Sequence, residues 1–208
     1  MPNLSVRGKS EQLSLSLRRV TRSLHDVSEE RFDTLSRLAP ERIATHLTMM
    51  TRMLLTWHAA ATGNREADNV PRVLARAMAE HEVAISAADD ASTPPIPLPL
   101  ARFTLINRAE AIGSAYTICG AALGLRPALR SAAPSWPEEQ QRMEGLALAG
   151  AAMQQRWRGM RRAIDLWGLE HAQMQVDVLA GACTTFCVAL TILDAMVEQN
   201  IPEASYHA

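Results

Sequence analysis

The chain has 208 residues, 48% of them hydrophobic, with 21 lysines and arginines against 22 aspartates and glutamates. That length suits one domain with a sizeable core. The net charge of −1 argues against nucleic-acid binding, which draws on a clear basic excess.

Apolar residues at Leu13, Leu17, Val20, Leu24 and Val27 step by four and three, which predicts a first helix. Ser10 and Glu11 are suited to open it as cap and first-turn acid. Residues 1–10 are expected to be a flexible N-terminus. Pro40 is placed to start a second helix with the stripe Ile43, Leu47, Met50, Leu54, Trp57 and Ala61, stopped by Gly63-Asn64. Pro71 is expected to start a third, running to about Ala88, with Asn69 or Val70 at its cap. The proline-rich segment Asp89 to Pro99 reads as a loop, because proline removes a donor and clashes with the preceding turn. A fourth helix is predicted over Leu100 to Leu125, interrupted or bent near Gly120 and Gly124. Ala133 to Pro137 reads as a turn. A long helix is expected from about Glu138 to Trp167, closed by Gly168, and a last one from Leu169 to about Gln199. No stretch alternates as a strand would, so the expected fold is an all-α, single-domain helical bundle over residues 1–208.

Cys119, Cys183 and Cys187 all lie in apolar helical stretches, which suits reduced thiols better than a disulfide framework. The opening MPNLSVRGKSEQ has no apolar signal core. The uncharged runs Ala111 to Leu125 and Val178 to Leu193 fall short of the roughly 20 residues of a membrane span. The expectation is a cytoplasmic protein with no membrane partner. His46, His58, His81 and His171 have no companion ligands at helical spacing, and there is no paired Glu-x-x-His signature, phosphate loop or dinucleotide fingerprint.

Arg18, Arg22, His25 and Glu29 also step by four and three, so they form a polar stripe apart from the leucines. Spacing alone leaves two readings open. One is a solvated face with helix-spaced charge pairs. The other is a ligand stripe, in which a neutral imidazole binds iron while a carboxylate holds its second nitrogen. Gly120-x-x-x-Gly124 is equally open: a contact between packed helices, or a close crossing over a flat ligand.

The run LRRVTRSLHDVSEERFD, Leu17 to Asp33, resembles the N-terminal helix of the heme oxygenases, matching at Leu17, Arg18, Thr21, His25 and Glu29. The segment AIGSAYTICGAALGLRPAL, Ala111 to Leu129, is similar to the glycine-rich helix of bacterial members, particularly those that supply bacteriophytochromes. It matches at Gly113, Tyr116, Gly120, Leu123 and Gly124. The resemblance implies that His25 ligates the iron of heme b, with Glu29 orienting it and Arg18 and Arg22 near the propionates. Tyr116, Gly120 and Gly124 would flank the other face, where oxygen binds. It implies cleavage of heme, both substrate and cofactor, to biliverdin, carbon monoxide and iron. The partners implied are a ferredoxin or an NADPH-dependent reductase as electron donor, and a bacteriophytochrome as user of the product. The sequence departs from the family pattern at Cys119, Ala121, Ala122 and Leu125, and no lysine or arginine follows Arg162. These departures make the oxygen side less polar and motivate an alternative, a heme- or tetrapyrrole-binding relative without catalysis.

Overall fold

A computed structural model describes residues 12–63, 71–88, 97–130 and 136–201. Among these there is no strand, and eight α-helices make up an all-α bundle. They are α1 (Leu13–Val20), α2 (Arg22–Leu38), α3 (Ile43–Thr62), α4 (Arg72–Ala88), α5 (Arg108–Ala122), α6 (Leu125–Leu129), α7 (Pro137–Glu170) and α8 (Gln175–Asn200). The caps expected at Ser10, Glu11, Asn69 and Val70, and most of the proline loop and the 133–137 turn, lie outside the described residues.

The expected first helix is split at Thr21, whose hydroxyl donates to the Leu17 carbonyl at 2.9 Å. Such back-bonding competes with the helical ladder and bends it. Pro40 begins a single 3₁₀ turn, Pro40–Arg42, that leads into α3. Gly63 ends α3 with φ 61°, a backbone region that disfavours residues with a Cβ.

Three expectations need correction. Leu100–Arg102 is a 3₁₀ turn, and α5 starts only at Arg108, where the Asn107 side chain accepts from the Glu110 N–H at 3.1 Å. That cap satisfies a first-turn donor, so the helix begins there and not at the apolar residues before it. The interruption expected near the glycines is present, with α6 a separate turn and a half. Gly168 does not close α7, which runs on to Glu170, and the last helix starts at Gln175 and not at Leu169. Its missing side chain makes room for Leu13, whose Cβ would stand 2.9 Å from a Cβ on residue 168.

One apolar core joins residues from Leu13 to Met196, and α5 and α8 form its most extensive pairing. A Cβ on Gly113 would collide with the Val178 carbonyl, so the two backbones meet there directly. The start of α3 is capped from another helix. Buried Glu139 of α7 accepts the Ala44 and Thr45 N–H groups at 2.6 and 3.2 Å and the Thr45 hydroxyl at 2.6 Å. Asp165, also on α7, accepts the Ser14 N–H at 2.8 Å and its hydroxyl at 3.1 Å, tying α1 to the bundle. Arg31 of α2 donates to Asp194 of α8 at 2.7 Å.

The stretch Ala172–Asn200 is long and apolar enough to cross a membrane by length and composition, with a mean hydropathy of 2.0 over its best 18 residues. This exceeds the expectation from the uncharged run alone, because the stretch extends beyond Asp177 and Asp194. In the bundle α8 packs on α1, α2, α3 and α5.

Candidate functional site

The pair α1–α2 stands off from α5, and between them lies a cavity of about 720 Å³. One wall carries Arg18, Thr21, His25, Ser28, Glu29 and Phe32 from α1 and α2. The facing wall carries Tyr116, Thr117, Gly120, Ala121 and Gly124, continued by Pro127 and Ala128 of α6. Leu47, Met50, Thr51 and Leu54 of α3 close one end with His81 of α4, while Thr185, Phe186, Ala189 and Leu193 of α8 form the floor. The volume falls in the range of about 300–1,000 Å³ typical of small-ligand sites.

His25 is exposed to this space. Its Nδ1 lies 3.5 Å from Glu29 Oε1, one turn along the helix, and the Phe186 ring stands edge-on to it with the ring centres 6.3 Å apart. A carboxylate on Nδ1 fixes the imidazole so that Nε2 is the nitrogen left for a metal. Asp26 adds a second carboxylate, and the ligand atoms of His25, Asp26 and Glu29 all lie within 4.8 Å of one another.

On the facing wall Gly120 lies against the Trp157 ring of α7, where an added Cβ would stand 3.3 Å away. Trp157 packs at 4.8 Å against Tyr116, and both rings border the cavity. Burial pushes the Tyr116 hydroxyl up to about 12, partly offset by Arg161 and Arg18, with Asp165 acting the other way. The phenol therefore stays protonated, and two guanidinium groups from different helices share its surroundings. Gly124 lies at the α5–α6 break, where a Cβ would crowd the Ala121 carbonyl at 3.2 Å. Cys119 points into the core, and burial raises its thiol to about 12, which makes it unreactive.

Of the residues singled out from sequence, the structure brings Arg18, His25, Glu29, Tyr116, Gly120 and Gly124 around one cavity. Arg22 is not among its lining residues. It lies one residue past the Thr21 break and is exposed. Gly113 belongs to the α5–α8 crossing and not to the cavity. Sequence reasoning missed Trp157 and Arg161, which reach the cavity from α7. The W-x-x-x-R spacing, one helical turn, was the available signal, but it is common on surface helices. Missed too was His81, an apparently solitary histidine.

The donor set suits a heme. There is an imidazole beside a carboxylate on one wall, glycines among aromatic and small side chains on the other, and Arg18 and Arg161 for carboxylates. The chain matches no protein-family profile, no curated protein and no solved structure.

Proposed function

We propose that this chain is a heme oxygenase, binding heme b between α2 and α5 and cleaving it oxidatively to biliverdin. The observation that carries the reading is that His25 and Gly120, from different helices, line one cavity. Spacing left both motifs with bland explanations, and neither explanation requires them to share a cavity. Bound heme supplies the redox chemistry and is itself consumed.

The protein's own part is positioning. Glu29 orients His25, Phe186 buttresses its ring, and Arg18 and Arg161 are suited to pair with the propionates. Gly120 makes room for the Trp157 ring, and Trp157 with Tyr116 would pack the porphyrin's edge. Beside the cavity, Arg158, Arg161 and Arg162 line a neighbouring groove and offer positive charge to an acidic electron donor such as a ferredoxin. A bacteriophytochrome as acceptor of the product follows from the resemblance of the glycine segment.

The test is an absorbance titration of the purified protein with hemin, followed by a ferredoxin reductase system under air. A saturating Soret band that decays into broad biliverdin absorption is expected. A His25→Ala variant should bind hemin at least about tenfold more weakly, with recovery on adding imidazole. No saturable band would overturn the reading. Ala121 and Ala122 on the glycine wall favour a second reading, a heme carrier or sensor, and a band that survives reduction under air would select it.

A further inference from the structure

Beside the His25 cavity runs a second concavity, the groove of about 890 Å³ lined by Arg158, Arg161 and Arg162. Its volume lies within the range typical of small-ligand sites. Trp157 and Arg161 line both spaces, whereas Arg158 and Arg162 line only the groove. Its long wall is a single face of α7, where Gln154, Arg158, Arg161, Asp165 and Leu169 recur at steps of three and four. Gln12 and Leu13 at the start of α1 and Gln175 at the start of α8 also line it.

Two properties of that wall point to a ligand. The first is unanswered charge. Arg31, Arg76 and Arg156 each pair with a carboxylate, but Arg158, Arg161 and Arg162 have no ion pair or hydrogen bond among the described residues. Arg158 and Arg162 stand one helical turn apart, a spacing at which like charges repel. The one carboxylate lining the groove is that of Asp165, and it is committed, since both its oxygens accept from Ser14. The second property is apolar surface in the same groove. Leu166 and Leu169 are 52% and 61% exposed, large side chains left in water just beyond the arginines. From Arg162 to Leu169 the helix rises about 10 Å, which sets an apolar end of the groove apart from a cationic one.

We propose that this groove binds a single-chain amphiphile with an anionic head, a fatty carboxylate. Arg158 and Arg162 hold the head through charge-assisted hydrogen bonds, with Arg161 adding positive charge beside them. The chain lies along α7 over Leu166 and Leu169 and takes their apolar surface out of water. An inorganic anion leaves the leucines uncovered, and a neutral hydrocarbon leaves the arginines unanswered, so neither matches the groove. Amphiphile binding needs neither His25 nor heme. A head seated on Arg158 and Arg162 also covers charge offered above to an acidic electron donor, so amphiphile and donor would compete.

The experiment is a calorimetric titration of the full-length protein with dodecanoate below its micelle concentration, with dodecyltrimethylammonium and butanoate as controls. Dodecanoate should bind saturably. The cationic amphiphile should not, and butanoate, whose chain is too short to reach the leucines, should bind at least about tenfold more weakly. Combining Arg158→Gln with Arg162→Gln should weaken dodecanoate binding by about 100-fold, about tenfold for each charge-assisted hydrogen bond. Glutamine suits a helix as well as arginine, so the fold should persist, and hemin, whose cavity neither residue lines, should titrate as in the wild type. Combining Leu166→Gln with Leu169→Gln should cost about tenfold through the tail alone. Dodecanoate binding that ignores the arginine pair, or that vanishes once hemin fills the cavity, would overturn the proposal by seating the chain beside His25. Equal binding of the cationic amphiphile would overturn it as unselective apolar contact. So would a protein that sediments with phosphatidylglycerol vesicles yet takes up no monomeric dodecanoate.

Discussion

Gly181 of α8 faces the Glu110 carbonyl of α5 so closely that a Cβ on Gly181 would collide with it. With the Gly113–Val178 contact this makes a reciprocal main-chain crossing, and it sets how far apart the two helices stand. A methyl group there must force backbone from backbone. Gly113→Ala or Gly181→Ala should therefore lower stability by about 3 kcal/mol, the upper range for overpacking. Gly159 has open space around its Cβ position within α7. Gly159→Ala should raise stability by about 0.8 kcal/mol, the helix-propensity difference. Denaturant melts of the three variants check both signs.

Glu139 supplies the cap that α3 lacks in its own sequence. Arg142 Nη1 lies 3.7 Å from the same carboxylate, and both side chains are buried. Glu139→Ala removes three accepted hydrogen bonds and deprives Arg142 of that carboxylate. A loss of about 3 kcal/mol is expected. Glu139→Gln, which retains one acceptor oxygen, should lose less. A chemical-denaturation series measures the difference.

Acid should weaken the fold through its buried histidines. Burial depresses His46 to about 4, with Arg42 adding to the effect and Glu41 opposing it. His81 is depressed to about 4 by burial alone. The unfolded chain takes up these protons near pH 6.5, and the folded chain does so only near pH 4. Between those values the unfolded state binds more protons, so stability falls as pH falls. Each group contributes up to about 1.4 kcal/mol per pH unit across that window. His46→Gln should flatten the slope of stability against pH between 6.5 and 4, which melts at stepped pH would show.

The two arginine positions separate the cavity reading from a merely basic surface. Arg161→Ala should weaken hemin binding by about tenfold, the worth of one charge-assisted hydrogen bond. Arg22→Ala should leave it unchanged, since Arg22 does not line the cavity. Soret titrations at matched ionic strength test the pair. Equal losses in both variants would show that net charge, not local contact, governs affinity.

Much of the fold was legible because helix signals here are local. The stripes at Leu13–Val27 and Ile43–Ala61 and the prolines at 40 and 71 mark helices the structure contains. What went unread depended on distant residues. Gly168 looks like a helix stop, but it is open space for Leu13, some 150 residues away in the chain. Leu100–Ile106 is apolar enough for a helix, yet the Asn107 cap starts α5 later. The same holds for the site. His25 and Gly120 stood out by their local patterns, whereas Arg161, Trp157 and His81 gain meaning only when α7 and α4 close on the cavity.

The cavity draws its lining from Ser14 at one end of the described chain to Leu193 near the other. No fragment carries enough of it to bind on its own, so ligand capture is a late event that certifies the completed topology. Occupancy and foldedness then become one equilibrium. A ligand at 100 times its dissociation constant adds about 2.7 kcal/mol to the free energy of unfolding. Under the heme reading proposed above, a cell rich in heme would hold more of this protein intact and one starved of it would surrender more to proteolysis, so that ligand supply would set abundance with no separate regulator.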